Sequence, residues 1–349
     1  MIPLTPKEVV IRIARRVLGE NRVHDYLIRR GIELRHLQDG YTEGSEVEER
    51  CEEFDRNSRK GLDRDCSERQ TLIFMADGKW MHGGLTDRLR GMTSAYRFAN
   101  EHNLDFKIFH TSPFELQEIL QPNKVDWKIS PSEINYNRAF AKPVLLYRED
   151  FENDSALERQ IDNSHKQFHL YSCIDTVNEK FPEYFNELFK PSMILEKELE
   201  HYGKLLGETY TAISFRFQNK LGDFKEFTFK ELAASDKQNL LEASMNVLKN
   251  VAEQAQAAQK ILVTADSPRF LAEVEKLPNV ITVKGKSIHI DFNSSKNATD
   301  YLKAFTEFFL ISRASKAILY RNRKYKTYPS NFPKYAALLG NVPYQIVND

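Results

Sequence analysis

Four short segments of this chain place polar and charged residues directly after apolar runs. In YTAISFRFQNKLGDFKEF (210–227), alternation puts Ile213, Phe215 and Phe217 on one face of a strand and Ser214 and Arg216 on the other. A guanidinium among aromatics is costly to bury unless it meets an anion. A diphosphate suits its fork of donors; so does a carboxylate such as Asp223 or Glu226 in a buried ion pair. In TLIFMADGKWMHGGLTDRLRG (71–91), a strand ending near Ala76 leads to Gly83-Gly84 and a helix beginning near Thr86. Adjacent glycines let a ligand approach the backbone, and first-turn N–H groups attract anions. Arg88 and Arg90 add cationic donors, and His82 sits at the mouth of the turn. The competing reading is a plain turn in which Asp87 and Arg88 satisfy the helix end. KILVTADSPRF (260–270) runs into Asp266 and Ser267, and TYPSNFPKYAALL (327–339) into Ser330 and Asn331. Each pair either meets a nucleotide or caps the helix that follows.

These turns need a scaffold, and the periodicity supplies one. Runs rich in β-branched and aromatic residues recur at 71–76, 106–110, 143–149, 167–174, 210–217, 260–266, 280–283, 316–320 and 344–347. Helix-like stretches at Leu85–His102, Val177–Phe189, Ser192–Leu206, Lys237–Gln259, Ser267–Lys276 and Ala298–Ala314 lie between them. Alternation of this kind predicts parallel sheets covered on both faces. Gly203 and Gly207 close a long helical stretch before a new strong strand, so two sheets are expected, in 71–206 and 207–349. Open sheets of this type bind ligands beyond the carboxyl ends of their strands, where the four turns fall.

Composition narrows the function classes. The chain has 349 residues, with 50 Lys+Arg against 50 Asp+Glu. Its length suits two domains. A balanced charge argues against nucleic acid as the main partner. No apolar run is long enough to span a membrane, and the start does not resemble a signal peptide. Cys51, Cys66 and Cys173 are too few and too irregular for a disulfide framework or a zinc site, so the chain reads as cytoplasmic. No Asp-x-Asp pair lies in a suitable loop, and no His/carboxylate cluster has ligand spacing, so neither metal nor cofactor is expected. Residues 1–31 are basic, and Val9, Val10, Ile13, Val17 and Leu18 form a helical stripe beside Arg12, Arg15 and Arg16. The segment 5–19 either packs on its own domain or lies on an anionic membrane at the inner face of the cell. The acidic stretch 39–70 reads as a solvated linker, making 1–70 an N-terminal appendage.

Taken in order, the four turns resemble the GT-B-fold fucosyltransferases, a group that includes the α-1,2-, α-1,6- and protein O-fucosyltransferases. HGGLTDRLRG (82–91) is similar to the glycine-rich G-x-G-N-Q/R segment, with Thr86 where glycine is usual and Asp87 where asparagine is. SFRFQNKLG (214–222) resembles H-x-R-x-x-D-K-x-G, with Ser214 for histidine and Asn219 for aspartate; Arg216 falls on the arginine that grips the donor pyrophosphate. TADS (264–267) resembles the T-D-S turn with Ala265 inserted. PSNFPKYAALL (329–339) resembles the closing S-S/G-F-S-x-x-A segment, which contacts the β-phosphate.

The resemblance spans about 71–340 and implies two Rossmann-like domains facing a cleft, the N-terminal one on the acceptor side. It also implies inverting transfer of a sugar, L-fucose above others, from a GDP-sugar to a glycan hydroxyl in bacterial surface-polysaccharide synthesis. The acceptor is then a glycan or a lipid-linked glycan. Without a metal, leaving-group charge falls to Arg216, helix N-termini and hydroxyls. Gly83, Gly84, Arg88, Asp266, Ser267, Ser330 and Asn331 complete the donor site, and the base near the acceptor is Asp223, His82 or Asp87. His289 and Asp291 in KSIHIDF either touch guanine or ribose or are structural. Two other readings remain open: a GT-B transferase of a different nucleotide sugar, and an inactive relative that binds glycans or assembles other enzymes.

Overall fold

The computed structural model describes residues 69–349 apart from 79–81, 138, 147–153, 225, 227–228, 255–258 and 329. The expected helix at 5–19 and the linker as far as residue 68 lie outside the described residues. The strands are β1 (Thr71–Ala76), β2 (Asp105–His110), β3 (Leu120–Pro122), β4 (Ala141–Leu146), β5 (Gln167–Ser172), β6 (Phe189–Pro191), β7 (Tyr210–Phe215), β8 (Lys260–Ala265), β9 (Val280–Ile281), β10 (Lys316–Arg321) and β11 (Tyr344–Asn348). The helices are α1 (Leu85–Glu101), α2 (Ser155–Glu158), α3 (Phe181–Leu188), α4 (Met193–Leu206), α5 (Ala234–Gln254), α6 (Pro268–Val274), α7 (Leu302–Ile311) and α8 (Asn331–Leu339).

The chain divides into two compact units. The first takes in the described chain up to His82 together with Ser94–Phe109 and Lys128–Thr176. Its four-stranded sheet has the order β2-β1-β5-β4, with β5 parallel to both β1 and β4. TLIFMA is buried at every position after Thr71, as an apolar run covered on both faces must be.

The second unit takes in Gly83–Thr93, His110–Trp127 and Val177–Asp349. Its five-stranded sheet has the order β11-β10-β7-β8-β9, and each pair is parallel. From β7 the chain builds outward through β8 and β9, then returns to the other side of β7 with β10 and β11. The switch point between β7 and β10 is where sheets of this class open a crevice at their carboxyl ends. Ile213, Phe215, Phe217, Leu240, Leu248 and Phe270 are among the buried residues of the core beside it.

The boundary expected near 207 marks where the second sheet begins, not where its packed unit begins. Leu195, Leu199, Tyr202 and Leu206 bury one face of α4, and the Tyr202 hydroxyl accepts from Lys284 N–H at 2.8 Å. Phe181 of α3 meets the Tyr335 ring edge-on at 5.0 Å. Packing therefore draws 177–206 into the second unit. The antiparallel ribbon of β3 and β6 is too short to leave a period in the sequence. KSIHIDF, which follows β9, carries a 3-10 turn at Ile290–Phe292.

Candidate functional site

The register of β7 on β8 pairs Phe215 with Ala265, bringing Arg216 and Asp266 side by side just past the strand ends. Arg216 donates from Nη1 to Asp266 Oδ2 at 2.8 Å and from Nη2 to Glu226 Oε2 at 2.7 Å. Its guanidinium also lies 5.1 Å from the centre of the Phe224 ring. Asp266 organises the loop as well, accepting from the N–H groups of Phe217 at 2.8 Å and Gln218 at 2.7 Å. Gln218 takes the left-handed conformation, φ 61°. Burial would lower the Arg216 pKa, but the two carboxylates more than offset it and hold it above the usual value. Burial pushes Glu226 up against the pull of Arg216, and the charge of Asp266 adds to the rise. The arginine side chain stays 19 % exposed. Two of its five N–H donors are engaged, and three have no partner among the described residues.

The carboxylate alternative is thus realised at Glu226, with Asp266 as an additional partner. Asp223 has a different place: its Oδ2 accepts from Ser267 Oγ at 2.6 Å and Arg269 N–H at 2.9 Å, bracing the start of α6. Ser267 caps that helix through Phe270 N–H at 3.1 Å. Ser330 likewise caps α8, accepting from Phe332 N–H at 3.2 Å, and Asn331 is the first helical residue. Both serines do what local sequence alone asks of them.

The glycine turn forms a second group within the same unit. Gly83 adopts φ 81° and donates to Asp291 Oδ2 at 2.5 Å. Gly84 N–H donates to Asp87 Oδ2 at 3.1 Å, and the other oxygen of Asp87 pairs with Arg90. Arg88 reaches Asp291 Oδ1 at 2.7 Å, His110 Nε2 at 3.1 Å and the Ser112 carbonyl at 3.1 Å. The Arg88–Asp291 pair is buried, with side chains 5 % and 3 % exposed. Burial lowers the Arg88 pKa against the opposing pull of Asp291. His289 adjoins the turn: a Cβ on Gly84 would sit 3.8 Å from its Nε2. Its pKa falls to about 3, first through burial and then through the charges of Arg216 and Arg88.

A Cβ at Gly83 would lie 2.5 Å from Asp87 Oδ2 in a backbone conformation that side chains resist. Gly83→Ala is therefore expected to lower stability by about 1–2 kcal/mol, read from the urea midpoint. An unchanged midpoint means that the turn relaxes freely.

His82 belongs to the core of the first unit. It is 1 % exposed, its Nδ1 lies 3.2 Å from the Ser172 carbonyl, and its ring is 5.3 Å from that of Phe74. Two residues carry more of the geometry than their sequence context suggested. Asp291 holds both Gly83 and Arg88, and Asp266 ties Arg216 to the loop after β7. The one sequence signal for each is a carboxylate adjoining an apolar run. Among the described residues, no group of three or more His, Cys, Asp and Glu is arranged to hold a metal ion, and no helix is long and apolar enough to cross a membrane.

Two α/β units built on parallel sheets, the larger with its switch point between β7 and β10, define an α/β protein of the architecture found in GT-B fucosyltransferases. The fold is similar to that of the fucosyltransferase NodZ from Bradyrhizobium, with 14 % identity and a TM-score of 0.52 over 81 % of this chain and 96 % of that one. NodZ α-1,6-fucosyltransferase soaked with GDP-fucose gives 15 % identity and a TM-score of 0.51 over 80 % of this chain and 95 % of that one. The same enzyme co-crystallised with GDP gives 15 % and 0.51 over 81 % and 95 %. No protein-family profile and no curated protein sequence matches the chain.

Proposed function

We propose that this protein is a glycosyltransferase that moves L-fucose from GDP-fucose to a glycan hydroxyl, with inversion and without a metal. The observation that carries the reading is Arg216, fixed at the carboxyl end of the central strand β7 with three donors uncommitted. The likeness in fold to an enzyme soaked with GDP-fucose supports it. In this reading Arg216 balances the charge that gathers on the departing diphosphate, and preorganised donors need no rearrangement as the bond breaks. The start of α8, reached through β10, adds first-turn N–H groups. The acceptor proton passes to Asp223: its Oδ1 has no partner, whereas both Asp87 oxygens are engaged. The acceptor is a glycan in cytoplasmic polysaccharide synthesis, lipid-linked if residues 5–19 rest on an anionic membrane.

A second reading, a relative that binds glycans without turnover, is favoured by the two carboxylates already on Arg216. Ligand binding separates the two. GDP and GDP-fucose are expected to raise the melting temperature equally with and without EDTA, by about 2.7 kcal/mol of added stability at a hundredfold excess over Kd. A response to UDP-sugars alone that needs added metal overturns the donor assignment. No response to any nucleotide favours the binding relative.

A further inference from the structure

We propose that His289 is a neutral hydrogen-bond donor to the sugar-side phosphate of the bound nucleotide sugar, held at the glycine turn. The inference rests on the nucleotide-sugar reading above and assigns His289 to the phosphate end of the donor, away from the guanine.

Three observations carry it. First, the His289 ring has no hydrogen-bond partner among the described residues. Its Nδ1 is buried without one, and its Nε2 lies on the glycine turn's side of the ring, where a Cβ built on Gly84 would sit 3.8 Å from it. Buried polar side chains are seldom left this way, and each exception calls for a reason. Second, the turn it faces opens the 17-residue helix α1, whose first N–H groups lack intrahelical acceptors. Thr86, the second helical residue, is 5 % exposed, and its hydroxyl is also without a partner. A ligand oxygen at this turn gives the Nε2 donor, the hydroxyl and the helix start a shared partner. Third, the guanidiniums of Arg216 and Arg88 both bear on the ring, so the positive charge a phosphate needs is already present.

The same surroundings fix the protonation state. The charged groups around the ring are Arg216 after β7, Arg88 and Asp87 on α1, and Asp291 on its own turn. Asp87 and Asp291 are engaged by Arg90 and Arg88, leaving the two guanidiniums to oppose an imidazolium, as burial does. Nδ1 has no acceptor, so a proton there would leave a buried N–H orphaned. The tautomer with hydrogen on Nε2 avoids that and aims its donor at Gly84.

The test measures Kd by calorimetry for GDP-fucose, GDP and guanosine monophosphate on the natural chain, His289→Leu and His289→Gln. Leucine is expected to weaken GDP-fucose and GDP about tenfold, near one hydrogen bond, and to leave the monophosphate unchanged. Glutamine, whose amide donates from a similar reach, is expected to restore most of the affinity. GDP-fucose binding to the natural chain is expected to be the same at pH 6 and pH 8. Equal losses for all three ligands mean a contact to the base and overturn the assignment, as does a leucine variant that binds like the natural chain. Should the leucine variant fail to fold, the pH comparison decides: tightening from pH 8 to pH 6 means an imidazolium and also overturns it. If the natural chain binds none of the three, the nucleotide-sugar reading falls first, a result distinct from binding that ignores His289.

Discussion

Arg216→Lys is expected to leave the protein folded and to lower kcat/KM by about two to three orders of magnitude, the loss seen when one preorganised donor to a developing charge is removed. The ammonium keeps the charge but not the geometry. Arg216 holds Asp266 and Glu226 from its two separate terminal nitrogens and still has donors to offer, whereas one ammonium cannot face two carboxylates and a phosphate from the same atom. Arg216→Ala has a different expected result. It strands two largely buried carboxylates, with side chains 6 % and 9 % exposed, beside each other, and removing one partner of a buried pair costs about 3–5 kcal/mol. Urea unfolding alongside GDP titration distinguishes the two roles. A lysine variant that binds GDP as tightly and turns over as fast as the natural chain would leave the arginine with a structural job only. Glu226→Gln sharpens the comparison: it removes one competing charge, so GDP affinity is expected to hold or rise.

Much of the scaffold was legible because its signals are local. TLIFMA, YTAISF and KILVTA are rich in β-branched and aromatic residues and are buried at every position but Thr71 and Lys260, as parallel strands covered on both faces are. The caps at Ser267 and Ser330 follow from the residue type before a helix. The site was legible only as separate pieces. The Arg216–Asp266 bond joins positions 50 residues apart through the β7–β8 register, and Asp291 closes on Gly83 across 208 positions. Neither can be read from spacing. The arginine beside aromatics announced that it needed an anion and left diphosphate and carboxylate both open, but it could not show that Asp266 would join Glu226 in taking two of its donors. The glycine turn was read with the first sheet because it follows β1, yet its partners come from the second unit.

Acid titration offers the other large effect. A free histidine titrates near pH 6.5, whereas His289 in the folded chain is held to about 3. Below pH 6.5 the unfolded chain therefore binds a proton that the folded chain refuses. The stability tied to this ring is complete above 6.5 and is lost as pH falls toward 3. An unscreened group loses about 1.4 kcal/mol for each pH unit in that window. Because the ring is only part-buried, solvent screening reduces the expected loss to roughly 1–2 kcal/mol between pH 6.5 and 4.5. His289→Gln removes this slope, so the stability of the variant relative to the natural chain is expected to rise steadily as the solution is acidified. Glu226 works in the opposite direction, since a carboxyl raised by folding gains stability as pH falls, and it does so equally in both proteins. Asp162, held below the usual carboxylate range mainly by Ser164, His165 and Lys142, contributes a loss only at lower pH. The difference between the two unfolding curves thus belongs to His289. Parallel curves from pH 7 to pH 4.5 would mean that the folded chain carries the proton after all, and a charged ring would then replace the neutral donor at the glycine turn.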